Sequence, residues 1–388
     1  MALAETSIHR LIEAQLHDEG FPGLAQAVAS ATGTPSTSLP HLPLSSILAG
    51  GDVPESLKPR KGYTLKCAVT VGQKPVARFS GDGRHLAVGT ADGAVQLFDW
   101  ESLARGSEGA LRRYADHASA VNDVDFHPIR STEFCSASED ATLHFYDTAS
   151  NEFLGPSRTC TDTHPARSVA FHPQGDHLLV GTTHAALHLY DMATFRCFLA
   201  ADASHHHRAA ITDARWASDG SLFASCAAAE VKLWQGHNFA CCATLSRAHG
   251  GTPVGSVNFS KSARYLITSG ADSAVKLWDV RMVRDLAAEM GRQAAPQPVR
   301  TYEGGGQTAA RRVASLSHDE KRIVGADENS SAALVWLTNL GTDAPLGGEV
   351  VAKHAGHSAA IRCVVHNPKQ AAFVTCSEDA TVRAWVAQ

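Results

Sequence analysis

Short apolar runs broken by turn residues fill the chain from about residue 62 onward, and they recur in a fixed order. A first run closes on an aromatic or on His-Pro or Ser, as in "VNDVDFHP", "RSVAFHP", "GSVNFS" and "RCVVHNP". A turn follows ("SGDGR", "HPQGD", "ASDGS", "SKSAR"), then a second run ("HLAVGT", "HLLVGT", "LFASCA", "YLITSG"). A third run ends each unit: "TADGAVQLFD" (90–99), "GADSAVKLWD" (270–279) and "SEDATVRAWV" (377–386). Several β-rich runs per unit, each bounded by turn signals, predict antiparallel sheet.

The closing aromatics are Phe98, Tyr146, Tyr190, Trp234, Trp278, Trp336 and Trp385, spaced 48, 44, 44, 44, 58 and 49 residues apart. About 40–45 residues is the period of a four-stranded propeller blade. One blade cannot bury both of its faces, whereas radial stacking buries them and protects most edges. The expected fold is therefore all-β, a seven-bladed propeller over 62–388. The long interval before Trp336 is assigned to a loop insertion, "RDLAAEMGRQAAPQPVR" (284–300), with at most one helical turn. "GYTLKCAVT" (62–70) is a strand left over at the start, and the seventh repeat lacks an outer strand. The first is expected to complete the last blade.

On these phrases the chain resembles the WD-repeat family of β-propellers. Trp278–Asp279 matches the family's closing dipeptide, softened to Phe98–Asp99, Tyr146–Asp147 and Tyr190–Asp191. The family's turn aspartate matches Asp92, Asp140, Asp272 and Asp379, and its loop histidine matches His117, His249 and His357. The resemblance implies three hydrogen-bonded sets: His117, Ser136, Asp140 and Tyr146; His249, Thr268, Asp272 and Trp278; His357, Thr375, Asp379 and Trp385. Physically, such a set satisfies buried polar groups. The same residue types also make catalytic triads, but a nucleophile would occur once and these sets recur. Ala228 and Ser330 stand at the aspartate position of repeats four and six, which predicts looser blades there.

The first sixty residues follow a helical period. Ile8, Leu11, Ile12 and Leu16 form one stripe. "DEGFPG" stops that helix through Gly20 and Pro22, and Leu24, Ala27 and Val28 form a second stripe. Such short helices must dock on something. The layout resembles a Lis-homology dimerising pair, so residues 1–33 are expected to pair two copies through Ile8, Leu11, Ile12, Leu16, Phe21, Leu24 and Val28; docking on the propeller is the alternative. Residues 34–61 read as a Pro-, Gly- and Ser-rich linker with one short helix at 44–50. "KPRK" within it is either a nuclear address or a solvated basic linker.

Charge and cysteine usage narrow the function classes. The 388 residues carry a net charge of −5 and 44% hydrophobic residues. No basic stripe suits direct phosphate binding, no apolar run approaches the roughly 20 residues of a membrane helix, and the start has no secretion signal. The nine cysteines show no metal spacing and read as buried hydrophobes in a reducing compartment. "SHHHR" (204–208) is a weak metal candidate, because His207 aligns with the loop histidines and its neighbours are expected to be exposed.

Longer phrases narrow the resemblance. Residues 166–198, 248–280 and 356–386, with "YEGGG" and "ADENS" in repeat six, are similar to the WD-repeat subunits of cleavage stimulation factor. Residues 32–60 are the weakest part, being shorter than the family's acidic linker. The resemblance implies a nuclear, non-catalytic scaffold of pre-mRNA 3′-end cleavage and polyadenylation. It would bind other cleavage-factor subunits as a homodimer, reach RNA only through the complex, and need no membrane, cofactor, metal or catalytic residue. Partner contacts are expected at equivalent top-face positions Asn122, Arg167, Thr212, Arg312 and Arg362, beside Glu139, Asn329 and Glu378. Arg167, Arg312 and Arg362 either form a cationic mouth for acidic or phosphorylated peptides or brace their blades by pairing with those glutamates. "WDVR" (278–281) also matches the motif by which propellers dock as substrate receptors on cullin-RING ubiquitin ligases, the alternative function.

Overall fold

The computed structural model describes residues 62–149, 155–290, 297–304, 314–327, 329–338, 347–348 and 350–387. The helices, linker and dimerisation residues expected within 1–61, and Arg312, lie outside the described residues.

Seven sheets, each with an antiparallel four-stranded core, make a seven-bladed propeller over Tyr63–Ala387. Blade one comprises strands 76–79, 85–89, 95–99 and 112–114; blade two, 121–126, 133–138, 142–147 and 158–161; blade three, 166–171, 177–182, 187–191 and 197–198. Blade four runs 211–216, 222–227, 230–235 and 241–246; blade five, 254–259, 265–270, 275–279 and 300–302. Blade six takes 314–316, 322–327, 332–337 and 350–354, and blade seven 361–366, 372–377, 381–387 and 63–70. First strands of neighbouring blades contact one another and form the inner ring.

Why the second and third strands read as near-continuous apolar runs is visible in the packing. Seven buried clusters lie among the described residues, one at each junction between adjacent blades. Because strand side chains alternate faces, Leu266 of blade five points to blade four and Ile267 to blade six. The seven spaced aromatics all face the same way: each packs into the junction with the preceding blade, from Phe98 against blade seven to Trp385 against blade six. Several stack on the aromatic opposite in the second strand. Phe223 and Trp234 are 5.7 Å apart at 5°, and Phe373 and Trp385 5.9 Å at 15°. The repeat period thus marks a repeated interface.

The ring closes through the strand Tyr63–Thr70, which pairs antiparallel with Thr381–Ala387 from Tyr63↔Ala387 to Thr70↔Thr381. The Val71 amide continues the ladder to Ala380 O at 2.9 Å. Trp100 adds a clasp between blades one and seven, its indole N–H donating to Gln370 Oε1 at 2.7 Å.

The insertion before blade six differs from the expected loop. A helix, α2, runs Val280–Met290, after the five-residue α1 at Trp100–Ala104. Val280, Val283 and Ala287 bury one face of α2 against blade four's edge. A reading that starts at residue 284 loses two of these three anchors to the preceding strand. Blade five also gains a fifth strand, Gly347–Gly348, parallel to Arg300–Tyr302. A Cβ at Gly348 would lie 2.0 Å from the Tyr302 ring, so only glycine fits this approach.

Deleting residues 1–70 strips the outer strand from blade seven and bares the Thr381–Ala387 edge. The shortened chain is expected to aggregate in light scattering, while a chain beginning at Gly62 stays dispersed; a dispersed, cooperatively melting 71–388 chain would contradict closure by this strand.

Candidate protein-interaction face

In five blades the pairing of first and second strands slips at the same place: Val121/Asp123, Ala166/Ser168, Ile211/Asp213, Val254/Ser256 and Ile361/Cys363. The extra residue of each bulge is Asn122, Arg167, Thr212, Gly255 and Arg362. A bulge raises local twist and re-aims the side chain it carries, here at the end of the propeller where the first strands begin. Four of the five positions expected to be equivalent are therefore equivalent in structure. Asn122 donates to Glu139 Oε2 and to Ala166 O, both at 2.8 Å, joining blade two to blade three. Arg362 donates to Glu378 Oε1 at 3.2 Å within blade seven. Arg167, Glu139, Asn329 and Glu378 are exposed and Thr212 is half-buried. At Arg362 the bracing alternative is the one the geometry shows.

Beneath this rim lie the polar sets. His357 Nδ1 meets Asp379 at 2.8 Å and Nε2 meets Thr375 Oγ1 at 2.7 Å, while Trp385 Nε1 donates to the same hydroxyl at 3.0 Å. His249, Asp272, Thr268 and Trp278 repeat this with 2.7, 2.7 and 2.9 Å. In blade two His117 meets Asp140 at 3.1 Å and Ser136 at 2.7 Å, but the phenol of Tyr146 reaches on to Asp116 Oδ2 at 3.2 Å. Partner types fix the protons: indole N–H to hydroxyl oxygen, hydroxyl to Nε2, and Nδ1–H to carboxylate. That chain needs neutral imidazoles. Burial pushes His117 down to about 4, helped by the His144 ring stacked 4.0 Å away, against the pull of Asp140. Burial opposes ionisation of Asp140 as well, yet hydrogen bonds from Thr142 and the Ala118 amide hold it at about 2.

Two blades keep the brace with other residues. In blade four, which has Ala228 for aspartate, His207 and Trp234 still share Ser225 Oγ at 2.6 and 2.8 Å. Lys232 there donates to His205 O and His206 O at 3.0 and 2.7 Å. Those two histidines of "SHHHR" are half-buried rather than exposed, because the loop folds over Lys232. Blade three inverts the polarity. Buried Asp162 occupies the loop-histidine position and accepts from His188 Nδ1 at 2.9 Å and the Tyr190 hydroxyl at 2.6 Å. Sequence reasoning missed this set, although Asp162 precedes Ala166 by the distance that separates His117 from Val121.

The inner ring is tied by charges that sequence reasoning also missed. Buried Arg215 of blade four contacts Asp123 of blade two at 3.0 Å, Asp213 at 3.1 Å and Val169 O of blade three at 2.5 Å. Each aspartate also accepts the next blade's backbone: Asp123 from Val169 N (2.9 Å), Asp125 from Phe171 N (2.9 Å) and Asp213 from Val257 N (3.2 Å). Burial raises Asp125, with Arg78 and Arg215 opposing. Beside Arg215 the cavity lined by Ala77, Arg78, Asp213 and Ser256 is about 30 Å³, room for about one water. Around Arg215 the inner ring is a brace of buried charges.

Comparison with known proteins agrees with this geometry. The WD domain, G-beta repeat family matches residues 109–147, 202–235, 239–279 and 348–385. The chain is 32% identical over 317 residues to cleavage stimulation factor subunit 50 of Arabidopsis thaliana, covering 80% of this chain and 69% of that protein. The chain belongs to this family of WD-repeat proteins. It is also 27% identical over 237 residues to pre-mRNA-processing factor 19 of Oryza sativa subsp. japonica, across 60% of this chain and 44% of that protein. The Myceliophteria thermophila Cps50 (Swd1) β-propeller domain superposes with a TM-score of 0.67 at 14% identity, over 83% of this chain and 99% of that one, a likeness of fold. In three blades the dipeptide's aspartate turns the chain after the third strand. Asp99 accepts from Ser102 N at 2.8 Å, Asp191 from Thr194 N at 2.7 Å and Asp279 from Arg281 N at 2.9 Å.

Two outcomes follow from the polar sets. Thr375→Val leaves the Trp385 indole and His357 Nε2 without their shared hydroxyl, and is expected to cost about 2 kcal/mol in urea unfolding; an unchanged midpoint contradicts the brace. His117 at about 4 and His207 at about 3 bind protons less readily than in the unfolded chain. Stability is therefore full above the ordinary histidine value of about 6.5 and falls as pH drops from there towards 4. The midpoint at pH 4.5 should lie well below that at 7.5, and equal midpoints would contradict neutral buried rings.

Proposed function

We propose that the chain is a non-catalytic scaffold of the nuclear machinery for pre-mRNA 3′-end cleavage and polyadenylation. Two copies pair through the helical segment 1–33, each propeller holds other cleavage-factor subunits on its bulged face, and RNA is reached only through them. The observation that carries this reading is the 32% identity to cleavage stimulation factor subunit 50 across 80% of the chain. The match to a pre-mRNA-processing factor over 60% of the chain supports the same nuclear setting.

The geometry suits holding better than reacting. The polar sets recur blade by blade as braces, and the bulged face offers fixed amides, carboxylates and guanidinium groups. Arg167 is exposed, and Arg362 pairs with Glu378. An acidic or phosphorylated segment crossing these blades would lie along Arg167 and Arg362 and compete with Glu378 for the latter. The ubiquitin-ligase alternative gains no comparable support: Asp279 of "WDVR" is engaged by Arg264 at 3.1 Å and by the Arg281 amide, at the entry to α2.

Affinity capture of the tagged full chain from nuclear extract should bring down polyadenylation subunits and 3′-end cleavage activity; a capture free of both overturns the reading. Light scattering should give a dimer for the full chain and a monomer for a chain beginning at Gly62, and two monomers would remove the pairing. Arg167→Ala with Arg362→Ala should weaken a captured acidic partner about tenfold, whereas unchanged affinity places that partner elsewhere.

A further inference from the structure

The end of the propeller opposite the bulged face carries the turns that join first and second strands, and one of these is unlike the rest. In blade three the turn "HPQGDH" (172–177) brings His172, Asp176 and His177 together, with donor atoms all within 4.8 Å of one another. Asp176 Oδ1 lies 2.7 Å from His172 Nδ1 and 3.2 Å from His177 Nδ1.

Capping the turn does not require three donors. At the position of His172, the other blades have Ser80, His127, Ala217, Ser260, Ser317 and Asn367. A single group such as His127 Nδ1, accepting from the Arg130 amide at 3.0 Å, suffices there. His172 Nδ1 itself accepts from the Gln174 amide at 3.3 Å, a weak bond that an ion on the same lone pair would displace. Its ring is held from behind: Trp216 packs edge-on at 4.6 Å, and a Cβ at Gly220 would lie 2.4 Å from Nε2. With Nε2 against the neighbouring blade, Nδ1 faces the other two donors. His177 opens the second strand, opposite Asp191, which adds negative charge nearby.

We propose that His172 Nδ1, Asp176 Oδ1 and His177 Nδ1 bind a zinc-class divalent ion. Two imidazoles and a carboxylate suit Zn²⁺, Co²⁺ or Ni²⁺ and are poor ligands for Mg²⁺ or Ca²⁺. Tetrahedral arms of about 2.0–2.1 Å place ligand atoms about 3.3 Å apart, so Asp176 must open from His172 by about half an ångström, and the two imidazole donors, within 4.8 Å of each other, must settle to the same spacing. The spacing H-x4-H is itself a known metal spacing, overlooked when cysteines and "SHHHR" were the candidates. Asp176 and His177 are 50% and 35% exposed, which leaves a fourth position open to water or to a donor from a bound partner.

The test is calorimetric titration of Zn²⁺ into the tag-free full chain after chelator dialysis, beside Asp176→Asn, His177→Gln and the control His206→Gln. Unchanged circular dichroism and metal-free melting establish that the variants fold. The expected result is one site in the micromolar range, at least tenfold weaker in Asp176→Asn and His177→Gln and unaltered in His206→Gln. A wild-type chain that binds no Zn²⁺ below about 100 µM overturns the proposal, and so does either site variant binding as tightly as wild type.

Discussion

Every sheet in this molecule is apolar on both faces, and that constraint governs the rest. Leu266 and Ile267, adjacent in one strand, belong to two different junctions. A lone blade would leave both faces wet, so the seven wedges form together. The ring then has one free joint, at which Tyr63–Thr70 meets Thr381–Ala387. Tyr63 itself packs edge-on to Phe373 at 4.7 Å within the junction of blades six and seven. The closing strand thus contributes both ladder hydrogen bonds and core.

How much of this was legible in the sequence depended on what each feature repeats. The aromatics were legible because each fills the same slot against the preceding blade. The sets built on His249 and His357 were legible because residue type and spacing both recur. Asp162, His188 and Tyr190 were not, since exchanging carboxylate and imidazole keeps the geometry while changing every residue type that a pattern would seek. Arg215 was illegible for another reason: its partners, Asp123 and Val169 O, lie two blades and one blade back, so the contact runs between repeat units and not within the unit that a pattern describes. The top-face positions came from counting along equivalent strands, but that they are bulges, and that Arg362 pairs with Glu378, required coordinates.

The division of labour suits an assembly subunit. Histidine–hydroxyl–indole chains use protons to lock loops to sheets, and the Arg215 cluster locks blades to one another across the inner ring. What remains adjustable is the rim, where Asn122, Arg167, Thr212 and Arg362 differ in charge and size on a common bulge. A rigid frame with variable rim residues lets one fold present a partner-specific surface without altering its core.

Hydrogen exchange of the full chain measures this most directly. If closure is part of the cooperative unit, amides of 63–70 and 381–387 exchange only with global unfolding, at the same free energy as the second strands of blades two to five. Exchange of 63–70 through a cheap local opening, with those strands still protected, would contradict a ring that stands or falls on its clasp.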